Sequence, residues 1–349
     1  MEKREQALCP VRSNGSILAW AADKFLIVYD LKNSLFVLNV DTATEGHSDT
    51  IRSISMSPDG ATIATAGEDK RVIVWSNSGG EWTPSRVFAH KKKVMAVEIT
   101  ASGSVIFADK FGDFFRLRDT SGIAAGSKAA GSDSEDDVDG ETELLFGHLA
   151  AVSTAIYSPA RDMLVSADRD EKIRLTRFPK VWNIESFLFG HKRYVSSLAW
   201  FGADGLVSAG ADGMIVLWDI ENSQSPRQVW SICVGDGPVN SMAVADDKVL
   251  IIKADEPNKL VTIVNGEIVD TCTLPCEVQS VHVLPNARVA LIDKSSHLMW
   301  FNGDRVPIAA DVPGVPITLM KVVHHENFDQ RQNDRNNSNK RAKREIDDN

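Results

Sequence analysis

Short runs of alternating apolar and polar residues recur along the whole chain, separated by turns rich in Gly, Pro and Asp. Around the clearest early example, the runs cover Ile51–Met56, Ile63–Ala66 and Val72–Trp75. They are rich in β-branched and aromatic residues and have a period of two, whereas the period of about 3.6 residues expected of an amphipathic helix is absent. The pattern predicts an all-β protein.

The runs repeat with a regular period. His47, His90, His148 and His191 each precede one of them, at spacings of 43, 58 and 43 residues. A period of about 40–45 residues that contains four strands is the signature of the WD-repeat β-propeller. One weaker unit precedes His47, and two units that lose the motif but keep the strands follow Gly237. The sequence therefore predicts a seven-bladed WD-repeat β-propeller, in which an N-terminal strand pairs with the last blade and closes the ring.

The repeat sets the predicted domain boundaries. Residues 1–325 are assigned to one propeller domain. The surplus in the spacing of 58 falls in residues 119–142, whose Gly, Ser, Ala and acidic residues predict a disordered loop between the third and fourth strands of its blade. Residues 326–349 are predicted to be a flexible polar tail. Its basic cluster suits either a frayed terminus or a segment for nuclear import or RNA phosphate contact, and it consists of Lys340, Arg341, Lys343 and Arg344.

The histidines suggest a structural role. In WD repeats, a His before the first strand, a Ser or Thr in the second, an Asp in the next turn and a Trp in the third form a tetrad of hydrogen-bonded side chains, which satisfies buried polar groups. Two blades offer all four residue types at matching offsets. The two sets are His47, Thr65, Asp69 and Trp75, and His191, Ser208, Asp212 and Trp218.

Composition and missing motifs narrow the function classes. A net charge of −10 argues against a stand-alone nucleic-acid binder. No apolar run reaches the ~18 residues of a membrane span, and four scattered cysteines predict reduced thiols rather than a metal site. The motifs of a nucleophile elbow or a Walker loop are absent as well. We expect a binding platform with no catalytic site, cofactor or metal of its own.

Two neighbouring blades depart from the repeat. The turn that reads Gly210-Ala211-Asp212-Gly213 in blade 5 reads Asp168-Arg169-Asp170-Glu171 in blade 4, and this alignment places Asp170 at the tetrad position. Blade 3 repeats part of the change at Asp109-Lys110. Turns at one register share a face of the propeller, so these charges are expected to lie together. They suit a docking patch of mixed sign better than an ordinary solvated turn.

These departures also carry a resemblance. The runs Ala108–Asp113, Ser166–Arg174 and Ile184–Phe187 closely resemble the WD-repeat subunit of the eukaryotic tRNA (guanine-N7-)-methyltransferase. The resemblance implies a non-catalytic subunit that forms a heterodimer with a catalytic subunit, located in the nucleus with the cytoplasm left open. That partner binds S-adenosylmethionine and supplies most tRNA contacts, and the pair methylates a guanosine in the tRNA variable loop. Carried over by position, the interface falls on Lys110, Arg169, Asp170, Glu171, Lys172 and Arg174.

A second interpretation stays open at this point. WD-repeat scaffolds also serve ubiquitin-ligase, chromatin and ribosome-assembly complexes. A scaffold of that kind is distinguished by the absence of a stoichiometric methyltransferase partner on affinity purification.

Overall fold

A computed structural model describes residues 10–30, 34–38, 46–118, 141–284, 288–294, 298–301 and 307–309. Over these residues every regular element is a strand, and no helix is long and apolar enough to cross a membrane. The strands form seven antiparallel sheets of four strands each. The seven-bladed β-propeller predicted from the repeat is confirmed.

Each blade is a meander of four consecutive strands, numbered from the innermost strand outwards. Blades 1 to 3 contain β1 (Val11–Ser13), β2 (Ile17–Ala22), β3 (Phe25–Asp30), β4 (Ser34–Leu38), β5 (Ile51–Met56), β6 (Thr62–Gly67), β7 (Arg71–Ser78), β8 (Glu81–Ala89), β9 (Val94–Ile99), β10 (Val105–Asp109), β11 (Asp113–Leu117) and β12 (Thr142–Gly147). Blades 4 and 5 contain β13 (Val152–Ser158), β14 (Met163–Asp168), β15 (Ile173–Arg177), β16 (Ile184–Leu188), β17 (Val195–Phe201), β18 (Gly205–Gly210), β19 (Met214–Asp219) and β20 (Arg227–Cys233). Blades 6 and 7 contain β21 (Val239–Ala245), β22 (Lys248–Lys253), β23 (Lys259–Val264), β24 (Glu267–Thr273), β25 (Val278–Val283), β26 (Val289–Asp293), β27 (Leu298–Phe301) and β28 (Pro307–Ala309).

The inner three strands of a blade are easier to predict than the fourth. The run expected at Ile215–Trp218 is β19, and its side chains are almost all buried between neighbouring blades. The outermost strands β20 and β24 expose residues on both faces, so their sequences lack a clear alternation. Burial on both faces gives an inner strand a nearly continuous apolar run, and the outermost strand at the sheet edge lacks that burial.

Ring closure differs from the prediction. Within the described residues, the N-terminal strand β1 pairs with β2 of its own blade, and every blade is built from consecutive strands. The expectation that an N-terminal strand completes the last blade is wrong for this part of the chain. Blades 1 and 7 instead meet through packed side chains, among them Leu18 and Trp20 on one side and Ile292 and Trp300 on the other. Apolar packing therefore holds the two ends of the ring together.

Side-chain hydrogen bonds also join the innermost strands of other neighbouring blades. The Ser53 hydroxyl accepts the Val97 N–H at 3.0 Å between blades 2 and 3, and the Ser241 hydroxyl accepts the Val281 N–H at 3.1 Å between blades 6 and 7. A serine on an innermost strand suits this contact because its short side chain can accept a hydrogen bond from a backbone N–H of the next blade.

The predicted acidic insertion covers residues 119–142. It joins β11 to β12, the third and fourth strands of blade 3, and Thr142 is already the first residue of β12. Residues 119–140 and the tail that contains Lys340 to Arg344 lie outside the described residues. The proposed boundaries of the domain and its tail therefore stay predictions.

A half-buried histidine links blades 1 and 7 beside the central channel. His282 Nε2 lies 2.9 Å from the Ser13 hydroxyl, and the neighbouring Arg12 forms an ion pair with Glu98 at 3.3 Å. Burial lowers the pKa of His282 to about 4, and the positive charge of Arg12 acts in the same direction. Burial raises the pKa of Glu98. The imidazole is therefore neutral in the folded protein at neutral pH.

We expect the free energy of unfolding to fall as the pH is lowered from about 6.5 towards 4, because the unfolded chain protonates His282 in this window and the folded chain does not. Urea unfolding of the wild type and His282→Gln at several pH values in this window isolates the effect from that of Glu98, whose raised pKa acts in the opposite sense. Equal pH slopes in the two proteins would contradict the assignment.

Candidate protein-docking surface

Two complete tetrads tie the turns to the blades. In blade 2, His47 Nε2 lies 2.8 Å from Thr65 Oγ1, His47 Nδ1 lies 2.9 Å from Asp69 Oδ2, and Trp75 Nε1 donates to Thr65 Oγ1 at 2.9 Å. Blade 5 has the same arrangement in His191, Ser208, Asp212 and Trp218. The structure thus brings together both sets of side chains that the sequence grouped.

A glycine makes this arrangement possible in blade 5. The Asp212 side chain folds back from the turn over Gly210, and a Cβ at Gly210 would lie 2.4 Å from Asp212 Oδ1 and 2.5 Å from His191 Nδ1. The turn tip is therefore tied to the buried histidine in an ordinary blade. A residue larger than glycine fits at this position only if a different residue supplies the carboxylate that contacts the histidine.

Blade 4 supplies that carboxylate from the glycine position itself. Asp168 replaces the glycine, and its Oδ2 lies 3.1 Å from Nδ1 of His148, whose Nε2 lies 2.7 Å from the Ser166 hydroxyl. Asp168 Oδ1 also accepts the backbone N–H groups of Asp170 and Lys172, at 3.0 and 3.2 Å. Burial alone would raise the pKa of Asp168, but the hydrogen bonds of His148 and the Lys172 backbone hold it below its usual value.

This geometry corrects the alignment of Asp170. Asp168, not Asp170, is the tetrad carboxylate of blade 4, and the side chain of Asp170 is 58% exposed. Sequence alignment missed the change because the carboxylate moved two positions along the chain while the residue type at the old position stayed the same. Asp170 is therefore available to a partner.

Blade 3 also has its carboxylate at the glycine position, although this carboxylate contacts Nε2 of the histidine and leaves Nδ1 of His90 without a partner among the described residues. Asp109 ends β10, lies 3.4 Å from His90 Nε2, and accepts the backbone N–H groups of Phe111 and Asp113 at 2.8 and 3.1 Å. The tip of this turn, Lys110 and Phe111, is exposed. Two adjacent blades therefore present turn tips that the tetrads do not use.

Arg174 does not belong to the exposed patch. Its side chain is buried: Nε donates to Thr176 Oγ1 at 2.9 Å, Nη1 donates to the Gly147 carbonyl at 3.3 Å, and the guanidinium lies 4.1 Å from the Phe146 ring centroid. Thr176 stands where blade 5 has its tetrad Trp218, and Arg174 fills the space that the smaller residue leaves. Its assignment as a direct interface residue is corrected to a supporting role beneath the turn.

Glu171 occupies a strained backbone position. Its φ is +72°, and the same register holds Gly213 in blade 5 and Gly112 in blade 3, both in the left-handed region. A residue other than Gly, Asn or Asp at such φ costs about 1 kcal/mol or more. The chain keeps a glutamate where glycine would relax the turn.

Exposed apolar side chains are concentrated on blades 3 and 4. Seven of the ten large hydrophobic residues exposed in the described part of the chain belong to blades 3 and 4 or the segments that follow their strands. They are Phe111, Leu144, Leu149, Trp182, Ile184, Phe187 and Phe189. Patches of this kind on a monomer mark interaction sites. The sequence did not reveal them, because exposure at an outer strand or loop leaves no periodic signal.

Backbone pairing places several of these residues beside the turns. The loop that carries Leu149 is joined to the blade 3 turn by a hydrogen bond of 3.0 Å from the His148 N–H to the Gly112 carbonyl. Strands β15 and β16 pair Ile173 with Leu188, so Phe189 follows next to the blade 4 turn, 6.1 Å from the Phe187 ring. We define the docking surface as the tips of the two charged turns together with the apolar residues beside them. It consists of Lys110, Phe111, Leu149, Arg169, Asp170, Glu171, Lys172, Phe187 and Phe189.

The surface combines residue types that are common in protein–protein interfaces. Over the described residues, no group of three or more His, Cys, Asp or Glu side chains is arranged to hold a metal ion. The histidines beside the turns are engaged with hydroxyl and carboxylate groups inside the blades. Aromatic residues and arginine at the centre of a mixed-charge patch are the residue types that contribute most to protein–protein affinity.

We expect Arg174→Met to lower the free energy of unfolding by about 1–3 kcal/mol, because it leaves the Gly147 carbonyl and Thr176 hydroxyl without their buried donor. Asp170→Asn is the matched control at an exposed position and should change stability by less than about 0.5 kcal/mol. Chemical unfolding followed by circular dichroism measures both variants. Equal stability of Arg174→Met and the wild type would show that Arg174 does not support the turn.

Comparisons with known proteins agree with the motif resemblance. Residues 122–232 match the family described as the tRNA methyltransferase TRM82 WD40 domain, and residues 39–76 match the WD domain, G-beta repeat. A protein of Dictyostelium discoideum, named tRNA (guanine-N(7)-)-methyltransferase non-catalytic subunit wdr4, is 29% identical over 215 residues, which make up 58% of this chain and 46% of that protein. A Vanderwaltozyma polyspora protein with the corresponding name, TRM82, is 31% identical over 180 residues, or 48% of this chain and 37% of that protein. The chain thus spans less than half the length of these curated relatives.

Solved structures share the fold at low sequence identity. The β-propeller domain of Swd1 from Myceliophteria thermophila has a TM-score of 0.67 and 15% identity, and covers 85% of this chain and 96% of that one. The U3-55K structure has a TM-score of 0.64 and 17% identity, over 83% and 90% of the two chains. At this identity the likeness concerns the propeller fold alone. In sequence, the chain is similar to the WD-repeat non-catalytic subunits of tRNA (guanine-N7-)-methyltransferase, and the resemblance predicted from its charged turns is confirmed.

Proposed function

We propose that this chain is the non-catalytic subunit of a heterodimeric tRNA (guanine-N7-)-methyltransferase and holds its catalytic partner on the docking surface of blades 3 and 4. The observation that carries the proposal is the coincidence of three features on these two blades. Their tetrad carboxylates have moved, their turn tips present charges of both signs, and four exposed apolar side chains lie at or beside those tips, namely Phe111, Leu149, Phe187 and Phe189.

The proposed division of work follows the family resemblance. The partner binds S-adenosylmethionine and carries out methyl transfer at N7 of a guanosine in the tRNA variable loop. The propeller contributes a rigid platform, because each turn is fixed by a buried carboxylate that accepts two backbone N–H groups. Such a platform stabilises one arrangement of the partner relative to the tRNA. The complex works in the nucleus, where newly made tRNA is modified.

Each class of residue has a separate part in recognition. Phe187 and Phe189 supply the apolar area that is removed from water on association. Arg169, Asp170 and Lys172 set orientation, because charges of both signs at fixed positions reject a partner in the wrong register. Arg174 acts from below, by supporting the strand from which the turn emerges.

We expect Phe189→Ser and Arg169→Glu each to weaken the association with the catalytic subunit by about 2 kcal/mol, roughly 30-fold in Kd, because both remove a central contact of the docking surface. Isothermal titration calorimetry with the co-expressed catalytic subunit, together with tRNA methylation assays, measures the effect. Val269→Ser is the matched control, because Val269 is 57% exposed on the outer strand of blade 6, and Phe189 is 68% exposed. Unchanged affinity in both docking variants would overturn the proposed surface.

The variant Glu171→Gly separates an effect on partner affinity from an effect on stability. We expect its free energy of unfolding to be unchanged or raised by up to about 1 kcal/mol, since glycine relieves the positive φ, while the affinity for the partner falls because the carboxylate is lost. Thermal unfolding and partner titration of the same preparation give the two quantities. A variant that binds the partner as tightly as the wild type would remove Glu171 from the interface.

A further inference from the structure

A row of lysines follows the rim of blades 2 and 3, on the face that carries the turns. We define this lysine ridge by the β6–β7 turn, the β8–β9 loop and the β10–β11 turn, which contribute Lys70, Lys91, Lys92, Lys93 and Lys110. Three of them, Lys70, Lys91 and Lys110, are exposed.

Backbone hydrogen bonds make the ridge continuous. The His90 N–H donates to the Lys70 carbonyl at 2.7 Å, which places the first loop lysine, Lys91, next to the blade 2 turn. The Lys110 N–H donates to the Lys93 carbonyl at 2.9 Å, which joins the other end of the loop to the blade 3 turn. The five lysines therefore lie along one connected rim rather than on separate loops.

The ridge carries net positive charge. Lys93 is paired with Glu68, and Lys92 Nζ lies 3.4 Å from the buried carboxylate of Asp109. Among the residues that the structure describes, no carboxylate lies within ion-pair distance of Lys70 or Lys110. Residues 68–118 contain nine Lys and Arg against six Asp and Glu, and Asp69 and Asp109 among those acids are buried inside tetrads. The exposed charge of this rim is therefore more positive than the composition suggests.

Lys70 is held at a strained position. Its φ is +65°, at the register where blade 5 has Gly213 with φ +72°. A lysine there costs about 1 kcal/mol or more relative to a relaxed turn, so the charge is retained against the local backbone preference. Strain of this kind is a reason to look for a function of the side chain.

The opposite part of the ring has the opposite charge. Residues 234–294, which form blade 6 and most of blade 7, contain nine Asp and Glu against five Lys and Arg. By sequence, residues 68–118 therefore carry a net charge of +3 and residues 234–294 a net charge of −4, while the separate acidic insertion between β11 and β12 accounts for much of the chain's net charge of −10. Such segregation attracts a polyanion to one side and repels it from the other.

We infer that the lysine ridge binds the phosphate backbone of RNA. The inference rests on the proposed function, which brings a tRNA to the docking surface, and it adds a direct contact by this subunit to a substrate held mainly by the partner. The ridge adjoins the docking surface at Lys110, whose Nζ lies 5.0 Å from the Phe111 ring centroid, while Lys92 Nζ lies 4.6 Å from the same ring. An RNA that leaves the partner over blade 3 therefore meets Lys91 and Lys70 next.

The test uses the assembled heterodimer and an unmodified tRNA transcript. The ridge variant Lys70→Glu/Lys91→Glu and the control Arg227→Glu/Lys248→Glu change the net charge equally, and the control residues are exposed on blades 5 and 6. Filter binding at several salt concentrations measures the tRNA affinity, and calorimetry measures the affinity for the catalytic subunit. For the ridge variant we expect at least about tenfold weaker tRNA binding at ~0.1 M salt, and a salt slope smaller by about two, one for each lysine. The control and the subunit affinity should not change.

A third variant removes one charge of the lysine ridge without destabilising the fold. Lys70→Gly relaxes the positive φ and removes one charge, so it should fold at least as well as the wild type and lower the salt slope by about one. Wild-type tRNA affinity and salt slope in an intact heterodimer carrying the ridge variant would overturn the inference and leave the proposed function standing. Loss of the catalytic subunit in the ridge variant would overturn it in favour of an acidic protein partner. Failure of the wild-type chain to bind the catalytic subunit would overturn the proposed function itself.

Discussion

The surface of this propeller depends on where each buried histidine finds its carboxylate. A buried histidine needs a hydrogen-bond partner, because a polar group left unsatisfied inside the protein costs about 1–3 kcal/mol. Within the described part of the chain, both ring nitrogens have one in blades 2, 4 and 5, whereas in blade 3 only Nε2 of His90 does. In blades 2 and 5 the partner comes from the turn, which is thereby folded back over a glycine. In blades 3 and 4 it comes from the end of the second strand. That shift of two residues leaves the turn tips exposed while their backbones stay fixed.

The consequences extend beneath the turn as well. Without a tetrad tryptophan, blade 4 fills the space under its turn with Arg174, which stacks on Phe146 and bonds to Thr176. The guanidinium therefore holds together strands from two blades below the exposed tip. A residue chosen for its charge in sequence analysis proves to work through burial and hydrogen bonds. The same substitutions in blade 4 therefore determine both which side chains the surface presents and how the side chains beneath it pack.

The repeat made most of the fold predictable, because burial between blades gives the inner strands short apolar runs at a regular spacing. Three features escaped sequence reasoning for physical reasons. The outer strands have two exposed faces, ring closure uses side-chain packing rather than strand exchange, and the carboxylate shift at Asp168 is hidden by the acidic residue at position 170. The departure from the repeat was visible in the sequence. The role of each residue within it required the hydrogen bonds and the burial of the side chains.

The central claim is that blades 3 and 4 hold a catalytic tRNA methyltransferase subunit. Hydrogen–deuterium exchange of the chain alone and in complex with that subunit tests it most directly. The account predicts slower exchange on complex formation in peptides that cover residues 109–113, 147–151, 168–172 and 186–190, and unchanged exchange in blades 6 and 7. Protection confined to other blades, or none in these four segments when the complex is saturated, would contradict it.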